Sequence, residues 1–231
     1  PVEAAGTFLG AEPRGDVGEA AGAVDGLGGR VLAGLRVKAL EALGARLIEI
    51  NSLTAYGLPE IDALYIGGGF PETQAVGLSK NISFRKSLKR AARQGLPIYA
   101  ECGGLMYLGE SIVTDEKKYP MAGVFPVSFT LHKKPQAHGY TIVKVAGDNP
   151  FYKKGTVLRG HEFHYSRLTS TGKDSPMAFK MLRGEGISGG MDGLCSGNVL
   201  ASYTHIHALG TPEWAKGMIR AAKKFKAGKG N

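Results

Sequence analysis

A cysteine at the end of an apolar segment is the side chain best placed for nucleophilic chemistry. Residues 99–105 read Tyr-Ala-Glu-Cys-Gly-Gly-Leu, and Ala100, Cys102 and Gly104 have the small-x-nucleophile-x-Gly spacing of a nucleophile elbow. Such a turn lifts the nucleophile clear of the sheet, and the helix that follows favours a thiolate and directs backbone N–H groups at an oxyanion. Because a free cysteine is often a small buried hydrophobe, the elbow alone leaves a structural role open.

Two histidines at the end of a second apolar segment are candidates for the base that a thiol nucleophile needs. Residues 199–207 read Val-Leu-Ala-Ser-Tyr-Thr-His-Ile-His, so a predicted strand ends in His205 and His207. A histidine at a strand end can take the thiol proton and later deliver it to a leaving amine. A hydrogen-bonded structural role is the alternative for both, and it carries more weight for His207.

A glycine triplet at residues 67–69, followed by Phe-Pro-Glu, is the third feature with possible chemistry. Glycine lets the backbone approach a ligand closely or adopt a positive φ. The run lacks the Lys-Ser/Thr of a P-loop and the spacing of a dinucleotide fingerprint. An oxyanion-hole or substrate-contacting role suits it better, and a plain tight turn remains the alternative.

The elements around these segments alternate between strands and helices. That alternation predicts an α/β fold with a mostly parallel sheet and helices on both faces. Residues 120–203 instead predict short β segments, and residues 212–225 a basic amphipathic helix. Within residues 32–110 we expect three helices, over 32–43, from Asn81 to Gly95 and from Gly104 to Leu108. We also expect three strands, at 46–50, 62–66 and 96–100.

Composition sets broad limits on the class of protein. The 231 residues, with 43% hydrophobic and 21% charged, suit one α/β domain, and residues 1–31 read as a Gly/Ala-rich segment outside it. The formal net charge of +9 is spread along the chain without a base-reading motif, so nucleic-acid binding is not predicted. The two cysteines lie far apart in the sequence, which favours a reducing compartment. The sequence shows no leader and no long apolar run, so we expect a cytoplasmic protein with no membrane partner. No histidine or cysteine trio has the spacing of a metal site.

The motifs together resemble the glutamine amidotransferase domain of the cobyrinic acid a,c-diamide synthase family. The likeness covers roughly residues 32–226, and the cysteine segment is highly specific. The matching stretches are residues 64–72 (LYIGGGFPE), 78–81 (LSKN), 97–108 (PIYAECGGLMYL), 160–166 (GHEFHYS) and 201–205 (ASYTH).

The resemblance implies a class I glutamine amidotransferase-like, flavodoxin-like fold over residues 32–231. In this family the cysteine, here Cys102, attacks the side-chain amide of glutamine, and His205 activates it. Gly68, Gly69 and Gly103 would supply the oxyanion-hole N–H groups. The released ammonia would pass to a carboxylate of a tetrapyrrole acid that a separate synthetase domain activates with ATP and Mg²⁺.

Three departures from the family pattern stand out. Class I glutaminases usually carry a glutamate two residues after the catalytic histidine, whereas this chain has His207 there, and Glu162 is the candidate for the orienting acid. No Gly-x4-Gly-Lys-Ser/Thr motif occurs, so no cofactor is expected in this chain and the ATP-dependent step belongs elsewhere. The family's first strand has no recognisable counterpart in residues 1–31.

The acceptor and the overall function have alternatives. Residues 131–140, with His161 and His164, concentrate cationic and hydrogen-bonding groups, as in relatives that amidate sirohydrochlorin or sirohaem. A solvated basic loop is the alternative for this segment. At the level of function, the alternatives are a stand-alone cysteine hydrolase, a glutaminase serving another synthetase, and a non-catalytic tetrapyrrole-binding module.

Overall fold

The structure, a computed structural model, describes residues 2–7, 36, 38–171, 175–207 and 210–229. The strands are β1 (Val2–Thr7), β2 (Ala45–Ile50), β3 (Ala63–Ile66), β4 (Ile98–Glu101), β5 (Ser111–Thr114), β6 (Lys117–Pro120), β7 (Val127–Leu131), β8 (Ala137–Val145), β9 (Val157–His164), β10 (Ser166–Thr171), β11 (Met177–Arg183), β12 (Met191–Ser196), β13 (Val199–Ser202) and β14 (His205–Ile206). The helices are α1 (Ala75–Lys80), α2 (Ile82–Arg93), α3 (Gly103–Leu108) and α4 (Pro212–Lys229), and a 3-10 turn, Pro71–Gln74, precedes α1. Residues 38–41 are also helical.

Parallel strands form one half of the larger sheet. They lie in the order β2-β1-β3-β4-β13, and each pairs in parallel with its neighbours. Every residue of β3, β4 and β13 is buried, which explains their continuous apolar runs in the sequence. The glycine triplet and Cys102 follow β3 and β4 directly, so both lie at the carboxyl edge of the sheet, where α/β folds place their ligand sites.

Strand β1 corrects the expectation that residues 1–31 lack the first strand of the fold. Residues 2–7 pair in parallel with both β2 and β3 at an interior position of the sheet. Their sequence, Val-Glu-Ala-Ala-Gly-Thr, has little β-branched or aromatic character, so neighbours on both sides rather than intrinsic propensity stabilise the strand. Residues 8–31 lie outside the described residues, and the domain boundary at residue 31 stays a prediction.

The other half of the larger sheet is antiparallel and curls back on the parallel half. Its order is β14-β9-β8-β11-β12-β13, with antiparallel pairing throughout. Only Tyr203 and Thr204 separate β13 from β14, although the two strands lie at opposite ends of this half. The sheet must therefore curl until β14 and β9 lie beside the end of β13, which brings them next to Cys102.

Helices cover both faces of the larger sheet, as the sequence predicts. Leu78 of α1, Leu88 of α2 and Leu105 of α3 belong to one hydrophobic core. Trp214 and Met218 of α4 belong to the core on the opposite face. The α/β class is thus confirmed, and the parallel pairing in this sheet lies among β2, β1, β3, β4 and β13.

A smaller sheet completes the described part of the chain. Its order is β10-β7-β5-β6, and only the β5 and β7 pair is parallel among the strands described there. Ile112 and Phe129 from this sheet pack into the same core as Leu105, so the sheet supports the helix that follows Cys102. The sequence predicts β segments in this region but not their division between two sheets.

Candidate active site

Cys102 occupies the turn between β4 and α3 in the conformation of a nucleophile elbow. Its φ is 47° and its ψ is −99°, a region that residues with a side chain rarely adopt. Its N–H donates to the Ser202 carbonyl at 2.7 Å, and its Sγ lies 3.8 Å from the Phe163 carbonyl oxygen. The turn thus anchors the backbone on β13 and presents the thiol to β9.

The glycines of the turn are required by close packing against the loop after β3. A Cβ on Gly103 would lie 2.5 Å from the Gly69 carbonyl oxygen and 3.0 Å from its nitrogen. A Cβ on Gly104 would lie 2.6 Å from the Ile66 carbonyl oxygen, and one on Gly68 would lie 2.5 Å from Cε1 of His205. The short distances show that the three predicted oxyanion-hole glycines, Gly68, Gly69 and Gly103, lie together around the cysteine turn and the histidine ring.

His205, the first residue of β14, meets both the nucleophile and a buried acid. Its Nδ1 lies 3.3 Å from Oε2 of Glu101. Burial opposes a charge on the ring, but hydrogen bonds to ionised Cys102 and to Glu101 outweigh it and raise the pKa of His205 to about 10. The site therefore favours an imidazolium beside the Cys102 sulfur, an arrangement that activates a cysteine nucleophile.

Glu101, one residue before the nucleophile, is a site residue that the sequence analysis missed. Its side chain is inaccessible to solvent and receives the Ile206 N–H at 3.1 Å and the Tyr65 hydroxyl at 3.2 Å in addition to the contact with His205. It therefore lies where a carboxylate can hold the His205 ring in one orientation. The signal in the sequence is a glutamate at the end of an otherwise apolar, buried strand.

Arg36 balances the buried charge of Glu101. Its guanidinium lies 2.7 Å from Oε2 of Glu101 and also donates to the Tyr65 hydroxyl and the Ile206 carbonyl. Burial raises the pKa of the Glu101 carboxyl, but Arg36 and His205 outweigh it, so that the pKa lies below its usual range. Breaking such a pair leaves an uncompensated charge in the interior.

Replacing Glu101 with glutamine should lower the rate of glutamine hydrolysis on the order of 10²-fold, because the imidazolium loses its buried counter-charge. The pKa of His205 should fall with it, so the alkaline limb of the rate-pH profile should move to lower pH. Steady-state kinetics across pH on the assembled enzyme would measure both effects. Glu162→Gln is the matched control and should leave the pH profile in place; an equal shift in both variants would contradict the assignment.

Glu162, the acid predicted from the sequence to orient His205, is bound elsewhere. Its carboxylate accepts the N–H groups of Glu185 at 2.7 Å and Gly186 at 3.0 Å, and it lies 3.8 Å from Nε2 of His164. The reason lies in strand geometry. His161 pairs in register with His205, and adjacent residues of a strand point to opposite faces, so Glu162 faces away from the site.

The two histidines nearest to His205 in the site and in the sequence, His161 and His207, lie in different environments. The ring of His161 stacks on that of His205, with centroids 4.9 Å apart and planes 14° from parallel. Burial, followed by the charge of His205, lowers the pKa of His161 to about 4, so His161 is neutral where His205 is charged. His207 is exposed and accepts the Gly210 N–H at 3.3 Å.

A buried aspartate fixes the turn that leads into His205. Asp192 accepts the N–H groups of Tyr203 at 3.0 Å, Thr204 at 2.9 Å and Gly193 at 2.8 Å. These bonds fix the two residues between β13 and β14. Asp192 is therefore a positioning residue, and neither its spacing nor its sequence context identifies it.

Comparison with known proteins decides the family. Residues 36–213 match the CobB/CobQ-like glutamine amidotransferase domain. The chain belongs to this family. A cobyrinate a,c-diamide synthase of Archaeoglobus fulgidus is 44% identical over 182 residues, which cover 79% of this chain and 40% of that protein. A protein of the same name from Dehalococcoides mccartyi is 46% identical over 189 residues, with 80% and 40% covered. The chain thus spans about two fifths of the length of these relatives.

Solved structures support the fold. PurLQS from Thermotoga maritima matches with a TM-score of 0.65 at 16% identity, over 97% of this chain and 99% of that one. A structure described as a glutamine amidotransferase matches with a TM-score of 0.58 at 17% identity, over 82% and 93% of the two chains. At these identities the likeness establishes the fold alone. No helix in the described part of the CobB/CobQ-like chain combines the length and apolar character needed to cross a bilayer.

Proposed function

We propose that this CobB/CobQ-like domain is the glutaminase part of an amidoligase that transfers the amide nitrogen of glutamine to side-chain carboxylates of a tetrapyrrole acid. The observation that carries the proposal is Cys102 in a strained elbow beside His205, with Nδ1 of His205 on the buried Glu101 and Glu101 paired with Arg36. The curated relatives named cobyrinate a,c-diamide synthase support the choice of acceptor.

The chemistry at the site follows the acyl-transfer scheme. Ionised Cys102 attacks the side-chain carbonyl carbon of glutamine, and the negative charge that develops on oxygen is stabilised by backbone N–H groups of Gly68, Gly69 and Gly103. His205 donates its proton to the departing nitrogen, so ammonia leaves and a thioester with Cys102 remains. Water, deprotonated by His205, then attacks the thioester, releasing glutamate and restoring the thiolate and imidazolium.

The amide-forming step belongs to a synthetase domain in the same or another polypeptide. That domain would bind ATP and Mg²⁺ and activate the acceptor carboxylate, since the chain has no Gly-x4-Gly-Lys-Ser/Thr motif. Ammonia from Cys102 would reach the activated carboxylate there.

The two distant free cysteines, Cys102 and Cys195, suit a reducing compartment, and we place the protein in the cytoplasm.

The acceptor side of the proposal rests on a basic, exposed loop. Lys133 and Lys134 are exposed between β7 and β8, and an adjacent cleft of about 420 Å³ is lined in part by His138, Tyr140 and Arg183. His164, grouped with this loop from the sequence, is instead buried with its ring stacked on Tyr203. Cationic groups on a loop suit an acceptor with several carboxylates, such as cobyrinic acid, sirohydrochlorin or sirohaem.

Separation of the two half-reactions gives a direct test. The purified 231-residue chain should consume no ATP when given a tetrapyrrole acid, because the nucleotide site is expected on the synthetase domain. The assembled enzyme should form amide from glutamine, and from free ammonia even when Cys102 is replaced. Phosphate release and product mass would be measured. Robust ATP turnover by the chain alone would contradict the division of labour, and rapid glutamine hydrolysis without any synthetase would favour a stand-alone hydrolase.

A further inference from the structure

Glu72 lies in the 3-10 turn Pro71–Gln74, which only Phe70 separates from the glycine triplet. This turn contacts the nucleophile elbow, since a Cβ on Gly103 would lie 2.9 Å from Cδ of Pro71. Glu72 is therefore carried by the same short segment that supplies Gly68 and Gly69 to the site.

The carboxylate of Glu72 differs from the other shielded acids of the site in that no residue elsewhere in the described part of the chain pairs with it. Glu101 is paired with Arg36, Glu162 accepts two backbone N–H groups, and Asp192 accepts three. Glu72 is half-buried, yet no lysine, arginine or histidine of the described residues forms an ion pair with it, and its carboxylate accepts only its own backbone N–H. Burial raises the pKa of Glu72 above its usual value.

Tyr203 senses the charge of Glu72 together with other charges of the site. Burial is the main reason that the pKa of Tyr203 is raised, and the negative charges of Cys102, Asp192 and Glu72 raise it further. Tyr203 precedes the turn into His205, and its hydroxyl lies 2.6 Å from that of Ser166. Glu72 thus lies in the turn that packs on the nucleophile elbow, and its charge reaches Tyr203, which precedes the turn into His205.

We propose that Glu72 binds the α-ammonium group of glutamine and so sets the specificity of the site for an amino-acid amide. The inference rests on the glutaminase function proposed above. Glutamine carries its ammonium group at the opposite end from the reacting amide, so a fixed negative charge at the rim of the site would anchor the far end and hold the amide carbon at Sγ. A partly desolvated carboxylate without a counter-ion is costly, and a bound ammonium group would remove that cost.

The test compares two probes that differ only in the ammonium group. 6-Diazo-5-oxo-L-norleucine alkylates a site thiol by protonation of the diazo carbon and displacement of dinitrogen by sulfur, and 6-diazo-5-oxohexanoate does so without the amino group. Wild-type Cys102 should react with the amino-acid probe roughly 10- to 10²-fold faster, the range for a hydrogen bond to a charged group. Glu72→Gln should lose most of this preference by slowing only that probe. Intact mass and peptide mapping would measure both rates.

Controls separate binding from folding. Iodoacetamide, which needs only an accessible thiolate, should modify Cys102 equally fast in the wild type and in Glu72→Gln. The exposed Glu110→Gln should retain the wild-type preference. Equal slowing of all three reagents in Glu72→Gln would indicate a structural role and overturn the inference, as would an unchanged preference. Failure of wild-type Cys102 to react with either diazoketone would instead refute the glutaminase function itself.

Discussion

Glutamine-dependent amidation is expected to fall on the order of 10⁵-fold or more when Cys102 is replaced with alanine, because the elbow offers no second nucleophile. The ammonia-dependent reaction of the assembled enzyme should survive, since Cys102 only generates the nitrogen nucleophile. Folding should also survive, because alanine fits within the volume of cysteine and meets the same backbone strain at φ 47°. Amide formation from each nitrogen source and thermal unfolding would be measured on the same preparation.

Cys195→Ala is the matched control for that experiment. Cys195 is also buried, and burial, followed by the charge of Asp148, raises the pKa of its thiol to about 11, so it is a poor nucleophile at neutral pH. Its replacement should leave glutamine-dependent activity within about two-fold of wild type. The nucleophile assignment would be wrong if Cys102→Ala retained activity with glutamine, or if Cys195→Ala lost it.

Replacing His205 with alanine is expected to lower glutamine hydrolysis by roughly 10²- to 10⁴-fold, the usual range for loss of a general acid-base group. In the wild type the raised pKa keeps the imidazolium protonated up to about pH 10, so activity should decline only as pH rises through that value. The variant should lose this alkaline limb, because the titrating group is gone. Rate-pH profiles to pH 11 would show the difference.

His207→Ala is the control for the histidine prediction, because His207 ends the same segment but is exposed. We expect it to change the rate by less than about three-fold, as surface substitutions away from a site usually do little. If His207→Ala were the more damaging change, His207 rather than His205 would be the base. Equal losses of rate in both variants would indicate that activity depends on the structure of the segment rather than on the His205 ring.

Local motifs were sufficient to select the candidate nucleophile and base, which the structure brings to one edge of the sheet. Ala100-x-Cys102-x-Gly104 encodes its own turn, because the strand, the elbow and the helix are adjacent in sequence. His205 was found for the same reason, at the end of an apolar strand. The alternation of strands and helices between residues 45 and 108 likewise specified β2, β3 and β4, three of the five parallel strands.

Residues that act through pairing across the fold were not predictable in this way. Arg36 and Glu101 are 65 positions apart, and their ion pair depends on packing between the sheet and the segment that carries Arg36. The choice of Glu162 failed because the face of β9 that meets His205 is set by register with β14. Strand β1 was missed because its pairing with two neighbours outweighs its weak propensity.

The most direct test of the account is to identify the residue that a glutamine-like electrophile modifies. The wild-type chain would be treated with 6-diazo-5-oxo-L-norleucine, digested and mapped by mass spectrometry, with and without excess glutamine. The account predicts a single thioether on Cys102, formed more slowly when glutamine is present, and an unmodified Cys195. Modification of Cys195 in preference to Cys102, or labelling of Cys102 that glutamine does not slow, would contradict it.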